Sequence, residues 1–75
     1  MKDLIEYIAK SLVDDPSQVS VSEVEESSST IIELHVAPAD MGRVIGKNGR
    51  VANAMRTLVR VAAAKEGKRV TLEIV

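Results

Sequence analysis

The chain has 75 residues, 28% of them charged and 45% hydrophobic, with no cysteine and a formal net charge of −1. This length predicts one small domain over residues 1–75, which buries only about 60% of its unfolded surface and has little stability to spare. The lack of cysteine excludes disulfides and cysteine-ligated metal sites, and no apolar run is long enough for a signal peptide or a membrane span. We therefore expect a cytoplasmic protein without membrane insertion and with an aliphatic core.

Charge is divided unevenly along the chain. Residues 1–40 carry nine acidic and two basic side chains, whereas residues 41–75 carry eight basic and two acidic ones. A segregated basic segment attracts phosphate groups whatever the total charge is. The alternative is that these charges only solvate the surface, and the net charge taken alone argues against a nucleic-acid partner.

An amphipathic helix is predicted over residues 1–13, where apolar side chains recur at helical spacing. Pro16 ends this helix, because a proline biases the residue before it away from helical geometry. We expect Asp14 and Asp15 to cap and stop the helix.

A β-hairpin is predicted next. Residues 19–25 alternate between apolar and polar side chains but change phase at Val24, which indicates a bulge or a strand end. A polar turn at residues 26–29 leads into a second strand at residues 30–37. The inward residues of that strand are predicted to be Ile32, Leu34 and Val36. His35 lies on its polar face, where a surface role is favoured over catalysis because no nucleophile or paired carboxylate accompanies it.

The second half of the chain predicts two helices and a third strand. Asp40 fits the N-cap of a helix of about one and a half turns that ends before Gly46. A long helix rich in alanine and arginine follows over residues 50–65, and Gly67 ends it. Residues 69–75 form the last strand. The order α-β-β-α-α-β predicts an α+β fold in which helices cover a three-stranded sheet.

The segment 42–50, GRVIGKNGR, carries the strongest functional signal, with three glycines, three basic residues and no acidic one. Glycines on both sides of Lys47 and Asn48 allow the backbone to turn sharply and to approach another chain closely. This turn lies at the N-terminus of the long helix, where free N–H groups and the helix dipole favour phosphate. The alternative is a plain helix–turn–helix connection in which the glycines only cap and turn.

The stretch RVIGKNGR resembles the signature of the KH (K-homology) domain, whose Gly-x-x-Gly loop clamps about four nucleotides of the RNA backbone. The order of the elements resembles the type II, prokaryotic form of that fold. The chain is most similar to the small stand-alone bacterial KH proteins of the KhpA type. This resemblance covers nearly the whole chain, although its specific part is residues 42–50.

The resemblance implies that single-stranded RNA lies in a groove between the two central helices and the neighbouring strand. The residues implied for RNA binding are Arg43, Val44, Ile45, Gly46, Lys47, Asn48, Gly49 and Arg50. The four loop residues would hold phosphates through backbone N–H groups, and the two arginines would flank the strand. Val44 and Ile45 would form an apolar floor under the bases, with Ile31 or Ile32 opposite. Tyr7 is the only aromatic residue, so we expect weak binding that tolerates many sequences.

The long helix has a wider apolar span than one sheet needs. The residues expected to cover the sheet are Ala52, Met55, Val59, Ala62 and Ala63. A second apolar edge contains Ala54, Leu58 and Val61. This edge predicts either burial beneath the first helix or contact with the same helix of a twofold mate. The resemblance favours a homodimer, since KhpA-type proteins self-associate and also pair with a larger KH-containing partner.

The predicted function is non-catalytic RNA binding without a cofactor or a metal, by a dimeric RNA chaperone or post-transcriptional regulator that the resemblance links to cell elongation, division and shape. The alternative is a protein–protein adaptor whose main ligand is a larger KH-containing partner. An enzyme is disfavoured because no nucleophile–base pair or metal constellation is present. A Walker A loop is disfavoured because only three residues separate Gly42 from Gly46 and Asn48 stands where Ser or Thr should bind magnesium.

Overall fold

The computed structural model describes residues 1–75, and its elements follow the predicted order. The helices are α1 (Lys2–Leu12), α2 (Met41–Ile45) and α3 (Arg50–Lys65), and the strands are β1 (Ser20–Glu25), β2 (Ser29–His35) and β3 (Arg69–Ile74). Short 3₁₀ turns occupy Pro16–Gln18, Pro38–Asp40 and Lys47–Gly49. The predicted α+β class and element order are confirmed, and the bounds of α3 match those expected. No helix combines the length and the apolar character needed to cross a bilayer.

The sheet is mixed, with the strand order β1-β2-β3. Strand β1 is antiparallel to β2, and β3 is parallel to β2, with Ile32 beside Leu72. A parallel pair needs a long crossover connection, which α2 and α3 provide. Strand β3 is therefore an edge strand, and α3 packs along it.

A single apolar cluster joins every helix and strand. Its largest fully buried side chains are Ile5, Ile32, Leu34, Val44, Met55 and Val59. Burial of each such side chain contributes about 1.5–3 kcal/mol, and the core is aliphatic, as the composition predicts. Because α1, α2 and α3 all contribute to this one cluster, the helices share one face of the sheet and leave the other face open.

The phase change at Val24 does not mark a bulge. Strand β1 pairs with β2 without interruption from Ser20 opposite His35 to Glu25 opposite Thr30. Val24 is paired with Ile31 on the open face of the sheet and is 47% exposed. The sequence pattern changes phase because Val21 lies on the buried face of the sheet and Val24 on the open face, one residue before the strand ends at Glu25.

Helix α3 ends as Gly67 predicts. The N–H of Lys68 donates to the carbonyl of Ala63 at 2.9 Å, and the N–H of Gly67 donates to the carbonyl of Ala64 at 3.1 Å. Gly67 has a φ of 68°. This combination is the Schellman motif, in which a left-handed residue satisfies the last carbonyls of a helix.

Asp40 stands at the predicted N-cap position of α2, but its side chain makes no capping hydrogen bond there. The carboxylate is instead buried and accepts the N–H groups of Asp14 and Asp15, each at 3.1 Å. The expectation that Asp40 caps α2 is therefore wrong. Asp14 and Asp15 do not cap α1, because its C-cap is Val13, but α1 does end directly before them. Asp40 ties the segment after α1 to the start of α2.

Candidate nucleic-acid interface

The turn between α2 and α3 has an unusual backbone. Gly46, Asn48 and Gly49 have φ values of 77°, 57° and 75°, and Asn48 is the only non-glycine residue with a positive φ. Asparagine visits this left-handed region more readily than other residues with a Cβ atom. Two glycines and an asparagine therefore allow a sharp turn at this point, which we call the glycine loop (Gly46–Gly49).

Two of the four N–H groups in the glycine loop are free. The N–H of Gly46 donates to Gly42 at 2.9 Å, and the N–H of Gly49 donates to Gly46 at 3.1 Å. Lys47 and Asn48 begin the 3₁₀ turn, and the first N–H groups of such a turn have no partner within it. Of the four loop residues expected to offer N–H groups to phosphate, only Lys47 and Asn48 can therefore do so.

Lys47 and Arg50 add positive charge beside these free N–H groups. Both side chains are exposed, and neither forms an ion pair. The dipole of the 16-residue helix α3 begins at the same point, and it favours an anion there. Backbone donors, side-chain cations and a helix N-terminus therefore converge on one exposed turn.

Arg43 differs from the other basic residues of the second half of the chain, because it alone is in an ion pair. Its Nη2 atom lies 3.0 Å from Oδ2 of Asp14, and its Nε atom lies 3.9 Å from Oδ1 of Asp40. The resemblance implies that Arg43 flanks the RNA strand. Two carboxylates compensate its charge.

The apolar floor expected beneath the bases is smaller than predicted. Val44 and Ile32 are fully buried in the core, so no base can touch them in this conformation. Ile31 pairs with Val24 on the open face of the sheet, away from the helices. Ile45 is partly exposed and directly precedes the glycine loop.

A groove lies between α3, the helix that follows the glycine loop, and the free edge of β3, and we call it the α3–β3 groove. It contains two adjoining cavities of about 340 and 200 Å³ that share Arg60 and Val70. Arg56 also lines this groove and donates from Nε to the carbonyl of Leu72 at 3.5 Å. Lys68 and Arg69 line its far end. The strand beside the candidate site is therefore β3, not β2 as Ile31 or Ile32 would require.

The edge of β3 presents backbone polar groups to the α3–β3 groove. The N–H of Val75 donates to the carbonyl of Leu34 at 2.9 Å, across the β2–β3 pair. Because alternate residues of a strand bond to the same neighbour, the backbone groups of Val70 and Leu72 point to the free edge. These donors and acceptors are suited to the polar edges of bases.

The sequence alone does not predict a role for Arg56 and Arg60 of the long helix. Their spacing of four residues puts both on one helical flank, but nothing in the sequence says that this flank borders β3. Only the parallel pairing of β2 with β3 brings them beside Lys68 and Arg69.

The second apolar edge of α3 is exposed, whereas the arc predicted to cover the sheet is buried. The buried members of that arc are Ala52, Met55, Val59 and Ala63, and Ala62 is partly buried. Leu58 and Val61 are each 51% exposed, and Ala54 is exposed as well. Helix α1 does not cover these three residues, so the first alternative for this edge is wrong.

Three helices packed on one face of a mixed three-stranded sheet, with a Gly-x-x-Gly turn between the second and third helices, define a protein with the KH fold. A family model described as KhpA/KhpB, KH domain matches residues 2–74. This chain belongs to the KhpA/KhpB family of KH domains.

Relatives of similar overall length share much of the sequence. The RNA-binding protein KhpA of Clostridium acetobutylicum is 61% identical over 75 residues, which is the whole of both chains. The RNA-binding protein KhpA of Aquifex aeolicus is 50% identical over 74 residues, covering 99% of this chain and 94% of its own. The RNA-binding protein KhpA of Chlamydia trachomatis is 45% identical over 74 residues, covering 99% of this chain and 95% of its own.

Proposed function

We propose that this chain binds single-stranded RNA, without catalysis, through the glycine loop and the α3–β3 groove. The observation that carries this proposal is the pair of free N–H groups at Lys47 and Asn48, with the unpaired cations of Lys47 and Arg50 beside them. The membership of the KH family and the names of the relatives support it. The proposal treats residues 1–75 as one KH domain that acts in the cytoplasm.

The RNA backbone would cross the glycine loop with its phosphates on the free N–H groups. The bases would then turn toward Ile45 and the edge of β3, while Arg56 and Arg60 hold later phosphates. Aromatic stacking, which contributes about 1–3 kcal/mol per base elsewhere, has no counterpart in this groove. Backbone contacts dominate, so the binding is weak and tolerates many sequences.

The proposal includes a homodimer formed through the exposed edge of α3, which contains Ala54, Leu58 and Val61. Leu58 and Val61 lie on the flank of α3 opposite Arg56 and Arg60, because residues on a helix are spaced about 100° apart. A second copy packed on that edge leaves the α3–β3 groove open. The dimer would act as an RNA chaperone or post-transcriptional regulator, with the control of cell elongation and division as its process.

A second candidate function is an adaptor that binds a larger KH-containing protein through the same edge. The exposure of Leu58 and Val61, at 51% each, favours it, since a small domain gains stability by covering such a patch. In this case RNA binding would be dispensable in the cell, whereas partner binding would not.

The variant Lys47→Asp with Asn48→Asp tests both candidates. It places two carboxylates beside the free N–H groups, so titration with a short oligouridine at low ionic strength should no longer move the amide resonances of residues 46–50. A matched control is Lys10→Asp with Ser11→Asp, which makes the same charge change on the exposed side of α1 and should leave binding intact.

The outcomes separate the two functions. RNA binding through the glycine loop is refuted if the wild-type loop resonances stay unmoved or if both variants weaken binding equally. The adaptor function is supported if the loop variant loses RNA but keeps its partner and its activity in the cell.

A further inference from the structure

Arg43, Asp14 and Asp40 form a charged cluster on the α1 side of the glycine loop. The guanidinium of Arg43 lies 3.0 Å from the Asp14 carboxylate and 3.9 Å from the Asp40 carboxylate. Asp40 also accepts the N–H groups of Asp14 and Asp15. The cluster therefore places more negative than positive charge three residues before the loop begins.

The two carboxylates around Arg43 differ in their surroundings. The side chain of Asp40 is only 4% exposed and is held by two backbone donors, so it cannot leave. The side chains of Arg43 and Asp14 are 55% and 75% exposed, and an ion pair of this kind is weak. Arg43 can consequently exchange Asp14 for another anion, whereas Asp40 stays beside it.

We propose that Asp14 competes with an RNA phosphate for Arg43 and thereby lowers the affinity of the glycine loop for RNA. This inference rests on the proposed RNA binding. The paired charge on the α1 side of the loop contrasts with the unpaired Arg56, Arg60, Lys68 and Arg69 on the other side. Asp14 thus directs the strand toward the α3–β3 groove, because specificity is often achieved by a repulsive group.

The variant Asp14→Asn tests the competition. It removes the carboxylate but keeps the backbone N–H that Asp40 accepts, so the fold should persist, as a urea unfolding curve can verify. Affinity for an oligouridine should rise by up to about fivefold, the range set by exposed ion pairs. The log–log salt slope should steepen by about 0.7, which is one additional phosphate contact on a single strand. The matched control Asp3→Asn makes the same charge change at the other end of α1 and should show neither effect.

Asp14→Asn in an Arg43→Gln background shows whether the gain in affinity comes from the release of Arg43 or only from the loss of a negative charge. The gain from Asp14→Asn should vanish there, because no guanidinium is left to release. An equal gain in both backgrounds, an equal gain from Asp3→Asn, or no gain at all would overturn the inference while the proposed function stands. If the wild-type protein binds no RNA, the proposed function itself fails, and this inference fails with it.

Discussion

A Cβ atom placed on Gly46 would lie 2.5 Å from Cγ2 of Val51 and 2.9 Å from its backbone nitrogen. The first turn of α3 therefore closes directly over the glycine loop. Gly46 also has a φ of 77°, a conformation that residues with a Cβ atom rarely adopt. Contact and conformation both require glycine at this position, and together they fix the shape of the candidate site.

The variant Gly46→Ala should lower the free energy of unfolding by about 1–3 kcal/mol, since it adds backbone strain to a clash with Val51. Urea denaturation measures the change. The control is Gly42→Ala, which meets no atom within 4 Å and should be neutral or stabilising by about 0.5–1 kcal/mol because alanine favours a helix. Equal losses in the two variants would contradict this account of Gly46.

Phosphate contacts at the glycine loop should be visible in the salt dependence of RNA binding. For three or four contacts on a single strand, the log–log slope is about −2 to −3. Replacing both Lys47 and Arg50 with alanine should reduce the magnitude of that slope by about 1.4 if each side chain contacts one phosphate. The double variant Lys2→Ala with Lys10→Ala removes the same charge from α1, and its slope should match that of the wild type.

Removal of the Asp40 carboxylate should destabilise the junction between α1 and α2. The variant Asp40→Ala leaves two N–H donors, those of Asp14 and Asp15, without their acceptor, which costs about 1–3 kcal/mol. Hydrogen exchange at these two N–H groups should accelerate along with the loss in urea stability. Unchanged exchange at both positions would mean that the hydrogen bonds to Asp40 do not form in solution.

If the protein forms a dimer through α3, substitutions in the exposed edge of α3 should lower the mass of the sedimenting species. The double variant Leu58→Glu with Val61→Glu should sediment as a monomer, because it buries charges in the proposed interface, and its loop should still respond to RNA. Tyr7→Glu is the control, since Tyr7 is an apolar surface residue of α1 that is 73% exposed. A wild-type protein that sediments as a monomer at all concentrations would exclude the homodimer.

Asp15 should contribute to the pH dependence of stability. Hydrogen bonds from the hydroxyl of Ser17 and the amide of Gln18 hold the pKa of Asp15 below its usual range. The ionised carboxylate thus stabilises the fold above its unfolded pKa of about 3.9, and the contribution is lost as the pH falls through the lower folded value. The stability difference between the wild type and Asp15→Asn should shrink as the pH is lowered from about 6 to about 3. A difference that stays constant over this range would contradict the assignment.

The parts of the fold that follow from local sequence were predictable. The bounds of α3, the Schellman turn at Gly67 and the sharp loop at Gly46–Gly49 each depend on residues within a few positions of one another. The alternation of buried and exposed side chains in β2 is local in the same sense.

The predictions that were wrong concern features that depend on residues far apart in the chain. The position of Asp40 in the sequence is typical of an N-cap, but its carboxylate accepts two N–H groups that lie 25 and 26 residues earlier in the chain. Val24 looks like a bulge because one strand alone does not reveal that the sheet has an open apolar position beside Ile31. The groove beside Arg56 could not be placed until the neighbour of β3 was known.

The parallel pairing of β2 with β3 also has a consequence for the order of events during folding. Residues 36–68 join the two strands, so β3 cannot pair with β2 until the ends of this connection of 33 residues have met. The hairpin of β1 and β2 involves only close neighbours and is complete long before. A chain truncated before β3 should therefore keep the glycine loop but lack one wall of the α3–β3 groove, and it should bind RNA poorly.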